Sequence, residues 1–148
     1  LAAAKHSPGV LEVQQGYDWT GDGQLRFMPT DDEPVLEVEF AIEKAEYRGL
    51  ILRFTYAEDY GVYRFFLDGK NINEPADYMA GQKITDCDFY SPTLKVKENY
   101  LGSFQFTPGK HTLRLVCVGR NPLAKGRSVG LDSIRLRERW LKQRKPLQ

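Results

Sequence analysis

The chain has 148 residues, 41% hydrophobic and 28% charged, with a formal net charge of +1. That length suits one domain with a real core. The near-neutral balance excludes the global basic field that draws a domain to nucleic acid. Aromatic residues reach 12%, with eight Tyr and eight Phe, which favours strands over helices. No apolar run approaches the ~20 residues of a membrane-spanning helix.

In chain order, Leu1–Ala4 is too short for a signal peptide, and residues 1–9, with His6, read as a flexible N-terminal end. Val10–Gln14 reads as a first strand, with Leu11 and Val13 on one face and Glu12 on the other. The Gly-rich stretch 15–23 reads as a loop ending in a Gly-Asp-Gly turn. Asp18 and Asp22 hint at calcium there, but the D-x-D-x-D-G spacing with a Glu at the twelfth position is missing, and a plain turn is the better reading. Gln24–Met28 follows as a short strand with Leu25 and Phe27 inward. Val35–Ile42 alternates cleanly, with Leu36, Val38, Phe40 and Ile42 inside and Glu37 and Glu39 outside. Residues 43–48 read as a polar connection with room for one helical turn. Gly49–Ala57 repeats the pattern with Leu50, Leu52, Phe54 and Tyr56. Tyr60–Leu67 follows with Tyr63, Phe65 and Leu67 on one face. Asp68-Gly69 is a strong hairpin-turn signal, with Lys70–Ile72 as the returning strand.

Residues 73–93 are the least regular, punctuated by Pro75, Gly81 and Pro92. A loop of that length is usually functional or wraps a sheet edge. Leu94–Val96 suits an edge, and Tyr100–Phe106 reads as a strand turned by Pro108-Gly109 into Thr112–Val118. There Leu113, Leu115 and Cys117 share a face, opposite Thr112 and Arg114. His111, at the strand's start beside Lys110, is expected to be exposed. A loop built from Gly119, Asn121, Pro122 and Gly126 leads to Ser128–Leu136. The apolar phase changes there from Val129 and Leu131 to Ile134 and Leu136. A strand cannot change face without an extra residue, so a bulge is expected near Asp132. A carboxylate between apolar residues at such a bend needs partners. Residues 138–148 read as a basic tail or linker, in which Trp140 among Arg and Lys invites nucleic-acid or membrane contact but is better read as solvated.

Many short strands, regular turn signals and no convincing amphipathic helix predict an all-β fold over residues 10–137. It is an antiparallel two-sheet sandwich, most simply a jelly roll. Cys87 and Cys117 allow a disulfide, two free thiols or neither, and Cys117 lies in apolar phase as a buried small hydrophobe.

No zinc spacing, serine-hydrolase elbow or phosphate loop is present. Asp86 with Asp88, and Glu58 with Asp59, are nominal carboxylate pairs for glycoside hydrolysis, better read as solvated loop acids. What remains is binding. Trp19, Tyr60, Tyr78 and Tyr90, in or beside loops, are candidates to stack on sugar faces. Asn121 and Arg127 are candidates for hydrogen bonds to hydroxyls. The plainer reading is that each ring closes an end of the sandwich, and that Asn121 bonds the local backbone before Pro122.

The motif order Asp59-Tyr60-Gly61, Phe66-Leu67-Asp68-Gly69-Lys70, Pro108-Gly109-Lys110-His111-Thr112-Leu113, Gly119-Arg120-Asn121-Pro122, Lys125-Gly126 and Gly130-Leu131-Asp132-Ser133-Ile134 resembles carbohydrate-binding-module-like sandwich domains of bacterial glycan-degrading proteins. It is similar to the C-terminal domain of glycoside hydrolase family 172 proteins and covers about half of the chain. The resemblance implies a galactose-binding-like jelly roll, carried as a non-catalytic module of a secreted or periplasmic enzyme. It implies a glycan as ligand, and a catalytic domain of the same parent, or an oligomer, as partner. The alternative is a structural or oligomerisation domain that packs on a catalytic partner without sugar affinity. More distantly, the chain resembles family 6 and 35 carbohydrate-binding modules. These place a structural calcium between an acid on the first strand and an Asp in a Leu-Asp-x-Ile segment on the last. The matching positions are Glu12 and Asp132; the usual second acid is Gln14 here, a departure from the pattern.

Overall fold

The alternation of apolar positions gives each strand an inner and an outer side, and two sheets bury the inner sides against one another. The structure, a computed structural model, describes residues 3–17, 19, 23–72 and 86–137. Its strands are β1 (Ala3–His6), β2 (Gly9–Gln14), β3 (Gln24–Pro29), β4 (Val35–Ile42), β5 (Glu46–Tyr56), β6 (Val62–Leu67), β7 (Lys70–Asn71), β8 (Cys87–Asp88), β9 (Lys95–Phe106), β10 (Gly109–Gly119) and β11 (Val129–Arg137). One sheet runs β1-β4-β10-β6-β7, with β8 also on β6; the other runs β2-β3-β11-β5-β9. All strand pairs are antiparallel. The architecture is the expected jelly-roll sandwich. Among the described residues no helix is long and apolar enough to cross a membrane.

Between the sheets Leu36, Val38, Phe65, Leu113 and Leu115 from the first meet Phe27, Leu50, Leu52, Phe54 and Leu131 from the second. Phe89, just after β8, enters this layer from the side. Its ring lies 4.4 Å from Phe54, 5.2 Å from Tyr56 and 6.2 Å from Tyr63, centroid to centroid. Such offset and edge contacts add to the area that a buried Phe removes from water.

The local signals operate as read. Asp68 and Gly69 both have positive φ, 51° and 83°, as a two-residue hairpin turn requires. Asp68 also accepts the Thr112 backbone N–H at 2.8 Å, which offsets the cost of its backbone conformation. On β11 the pairing to β5 shifts between Leu131 and Ser133, so Asp132 is the extra residue that turns the apolar face over.

Three expectations are corrected. The N-terminal end is not loose: Ala3–His6 is a strand that pairs with Leu36–Glu39 of β4 and covers that edge. Residues 43–48 hold no helical turn, because β5 already begins at Glu46. His111 is buried rather than exposed, since it lies two residues before Leu113 and shares its inward phase. The cysteines are free thiols. Both are paired with Tyr63, one from each side, so two strand spacings, roughly 9–10 Å, separate their backbones. That is beyond the ~7 Å limit for a disulfide. Burial pushes the Cys87 thiol up to about 11, so it is not a thiolate nucleophile near neutrality.

His111 carries a pH dependence. Its ring stacks on Phe40 and meets Phe106 edge-on. Nδ1 lies 2.6 Å from an Asp68 carboxylate oxygen and Nε2 2.7 Å from the Thr107 carbonyl. Both partners are acceptors, so only the imidazolium satisfies both. Burial alone would lower the pKa, but the Asp68 and Thr107 hydrogen bonds and the Asp68 charge raise it above the ordinary histidine value. The stabilisation is therefore complete below the unfolded value of about 6.5 and is lost as pH rises through the higher folded value. The urea midpoint is expected to fall as pH rises through that window, and His111→Gln to flatten the slope; an unchanged slope in the variant would contradict the assignment.

Candidate functional site

The β1–β2, β3–β4, β5–β6, β8–β9 and β10–β11 connections gather at one end of the sandwich, because the strand order brings those strand ends together. The backbone ties them to one another. Lys125 N–H donates to the Glu58 carbonyl at 2.7 Å and Ser128 N–H to that of Asp59 at 3.0 Å. Gly61 N–H donates to Ser128, and Phe89 N–H to Gly61, each at 3.0 Å. A polar cleft of about 250 Å³ opens between the β3–β4 and β10–β11 connections, lined by Asp31, Asp32, Arg120, Lys125 and Arg127 among others. Arg120 donates to the Ala124 carbonyl, and Lys125 pairs with Glu58 at 3.3 Å. Arg127 is half-buried, and its backbone carbonyl accepts the Tyr63 hydroxyl.

The second feature lies on the outer face of the second sheet. The β2–β3 hairpin stops a third of the way along β11: its last paired residues are Gln14 with Gln24, and Leu25 with Leu131. Two residues between Gln14 and Gln24, Tyr17 and Trp19, form a strap onto β5 and the segment before β9. Trp19 donates its indole N–H to Thr55 Oγ1 at 2.8 Å, and Tyr17 donates its hydroxyl to the Leu94 carbonyl at 3.3 Å. The Tyr17 and Trp19 rings are 5.4 Å apart. Tyr17 is 43% and Leu94 44% exposed. Under this strap Gln24 and Thr55 have no exposed surface. Thr55 donates its hydroxyl to Gln24 Oε1 at 2.5 Å. Gln24 donates to Gln14 Oε1 at 2.7 Å and to the Tyr60 hydroxyl at 3.1 Å.

The structure thus distributes the sequence candidates. Trp19 sits in the strap. Tyr90 and Asn121 meet at Asp88 on the loop end: Asp88 accepts the Tyr90 backbone N–H at 3.0 Å and the Asn121 amide at 2.9 Å. Asn121 Oδ1 accepts the Leu123 N–H at 2.9 Å, the local backbone bond of the plainer reading, while its Nδ2 ties the loop to Asp88. Arg127 lines the polar cleft. Tyr60 is only 2% exposed; its ring is a core ring rather than a stacking surface, and burial pushes its phenol up. Tyr78 lies outside the described residues. Sequence reasoning missed Gln24 and Thr55, because alternation puts both on an outer face where polar residues are unremarkable.

The carboxylates are engaged. Arg64 holds Asp86 with two hydrogen bonds of 3.0 Å. Asp88 and Glu58 are occupied as above, and Arg26 pairs with Asp59 at 3.0 Å. The same Arg26 reaches Glu12 at 3.6 Å, while Arg53 pairs with the buried Asp132 at 3.3 Å. Glu12 and Asp132 lie on one sheet with β3 between their strands. Each therefore already faces a guanidinium, which would repel a divalent cation. Among the described residues no cluster of three or more His, Cys, Asp or Glu could hold a metal ion. Glu12 and Asp132 as arranged do not fit a calcium shell of six to eight oxygens.

No protein-family model matches the sequence, and no curated protein matches it. Solved structures do match in fold. A xanthan lyase from Paenibacillus aligns at TM-score 0.73 and 21% identity over 92% of this chain and 12% of its own. A family 35 carbohydrate-binding module from an environmental isolate aligns at TM-score 0.51 and 14% identity, over 93% of this chain and 90% of the module. The family 35 module of Paenibacillus barcinonensis aligns at 0.50 and 18%, over 93% and 94%. The chain thus spans about an eighth of the lyase and nine-tenths or more of each module. The fold is that of family 35 carbohydrate-binding modules.

Two outcomes follow from this geometry. Tyr60→Ala should destabilise the domain by about 3–5 kcal/mol in urea unfolding, as truncating a buried aromatic does; a stable variant would mean that Tyr60 is not a core ring. Chelation with EDTA should leave the melting temperature unchanged, and a fall restored by calcium alone would show a resident metal.

Proposed function

We propose that this chain is a non-catalytic carbohydrate-binding module of a secreted or periplasmic bacterial glycan-degrading protein. The observation that carries the reading is the seating of Trp19. Its one polar atom is turned inward onto Thr55, and the half-buried ring lies 5.4 Å from that of exposed Tyr17. Sugar rings offer C–H-rich faces to aromatic rings, and the Trp19 ring needs no further hydrogen bond of its own. The polar cleft supplies the complementary chemistry: Arg127 and Lys125 donate, and Asp31 and Asp32 accept, as a polyhydroxylated ligand requires. The match to whole family 35 modules supports the same reading. The resemblance to family 172 C-terminal domains rests on motif order alone.

The engaged carboxylate pairs favour an accessory role over catalysis. A second reading, a structural domain that packs on a catalytic partner, is favoured by the lyase match, in which this fold occupies a small part of a long chain.

Affinity electrophoresis against a panel of plant, algal and bacterial polysaccharides separates the two. At least one polysaccharide should retard the chain. Trp19→Ala should weaken that retention about tenfold, the scale of one aromatic contact. Arg127→Ala should weaken it about three- to tenfold, the scale of one or two hydrogen bonds. No retardation by any glycan, together with a stable oligomer in sedimentation, would favour the structural reading.

A further inference from the structure

We infer that Thr55 and Gln24, the latter seated over Gly130, are positioning residues that fix the attitude of the Trp19 ring. The inference rests on the carbohydrate-binding reading of that ring. A threonine hydroxyl has one proton, and here it goes to Gln24 Oε1. The oxygen is therefore left as an acceptor, and the Trp19 indole N–H, which can only donate, is its partner. The direction of this bond depends on the carboxamide orientation of Gln24. Its amide nitrogen is directed at two acceptors, Gln14 Oε1 and the Tyr60 hydroxyl. A reversed amide would set Oε1 against Gln14 Oε1 and leave Thr55 no carbonyl to donate to; only the Tyr60 hydroxyl, which can also donate, could adapt. Trp19, Thr55, Gln24 and Gln14 thus hold one polarity, and its outer terminus is the ring.

Space completes the device. Gly130 is on β11, directly opposite Arg26 and next to Leu131. A Cβ built there would overlap the Gln24 carboxamide. The bare backbone is the floor on which the amide lies. None of Thr55, Gln24 and Gly130 is exposed, so a soluble glycan has no route to touch them directly. Any effect of these residues on binding is therefore indirect, through the groups they hold, of which the ring is the exposed one tied to Thr55.

The test uses the chain with Trp140→Phe, in which Trp19 is the one remaining indole. Thr55→Val keeps the shape and removes the acceptor. It should move Trp19 emission to the red, raise its quenching by acrylamide, and weaken retention by the best polysaccharide about three- to tenfold, the scale of one hydrogen bond. Thr55→Ser restores the hydroxyl and should keep emission at the parent wavelength and retention within about twofold. Gly130→Ala should reproduce the Thr55→Val emission shift without touching Trp19. If Gly130→Ala does not fold, the Val and Ser pair decides the matter.

Unchanged emission in Thr55→Val would overturn the inference. So would a red shift with unchanged retention, because the ring's attitude would then not matter to binding. Equal losses in Thr55→Val and Thr55→Ser would also overturn it, since they would reflect the site's general sensitivity and not its acceptor. If the parent chain is retained by no polysaccharide at all, the carbohydrate reading fails first and takes this inference with it.

Discussion

A carboxamide with no access to water, lying across a strand position that has no side chain, is the constraint on which much of this domain depends. Burying an amide is costly unless its hydrogen bonds are made inside. Gln24 makes all three of those observed within the sandwich: to Gln14 across its own hairpin, to Tyr60 in the β5–β6 connection, and from Thr55 on β5. One side chain therefore joins the edge hairpin, β5 and the loop end. Because the β2–β3 hairpin touches the rest of its sheet along only the first residues of β11, this lock does for the hairpin what a longer strand ladder would otherwise do. The strap that carries Trp19 hangs from the same lock.

Around it, the outer face of the second sheet is arranged as guanidinium–carboxylate pairs. Arg26 stands between Glu12 and Asp59, Arg53 meets Asp132, and Arg135 holds Glu98 through two hydrogen bonds. Asp132 is the member that matters most, since its carboxylate is shielded from solvent and an unpartnered buried charge would be expensive. The bulge that turns the apolar phase of β11 also sets this carboxylate towards Arg53. The hydrogen bonds from Arg135 hold the Glu98 carboxyl below its usual range, but that pair is exposed and adds little to stability. The arginines also explain why acids at the positions expected to share a metal are instead neutralised by the protein itself.

Much of the fold was legible because it rests on local rules. The alternation of Leu36, Val38, Phe40 and Ile42 places β4, and Asp68-Gly69 can hardly be anything but a hairpin. The phase change around Asp132 marks a bulge before any coordinates exist. Strand β1 was not legible: Ala3-Ala4-Lys5-His6 has little intrinsic strand preference, and it is strand because β4 presents an open edge. His111 was misplaced by attention to its turn, although its phase with Leu113 and Leu115 already pointed inward. Of the proposed site, only the aromatic candidate stood out in the sequence. Trp19 in a Gly-rich loop is conspicuous, whereas Tyr60, in a link of similar look, turns into the core. Gln24 and Thr55 left no such trace, because an outward-facing polar residue is informative only once the strap above it is known. The glycine inside β11 was the one available hint, since a glycine in a strand marks a close approach by something else.

Hydrogen exchange at the Trp19 indole N–H tests the lock most directly. The bond to Thr55, held in turn by buried Gln24, predicts an indole proton that exchanges far more slowly than a free tryptophan, together with two distinct, slowly exchanging Gln24 side-chain amide protons. An indole proton that exchanges at the rate of an unstructured peptide in the folded domain would contradict the account at its centre.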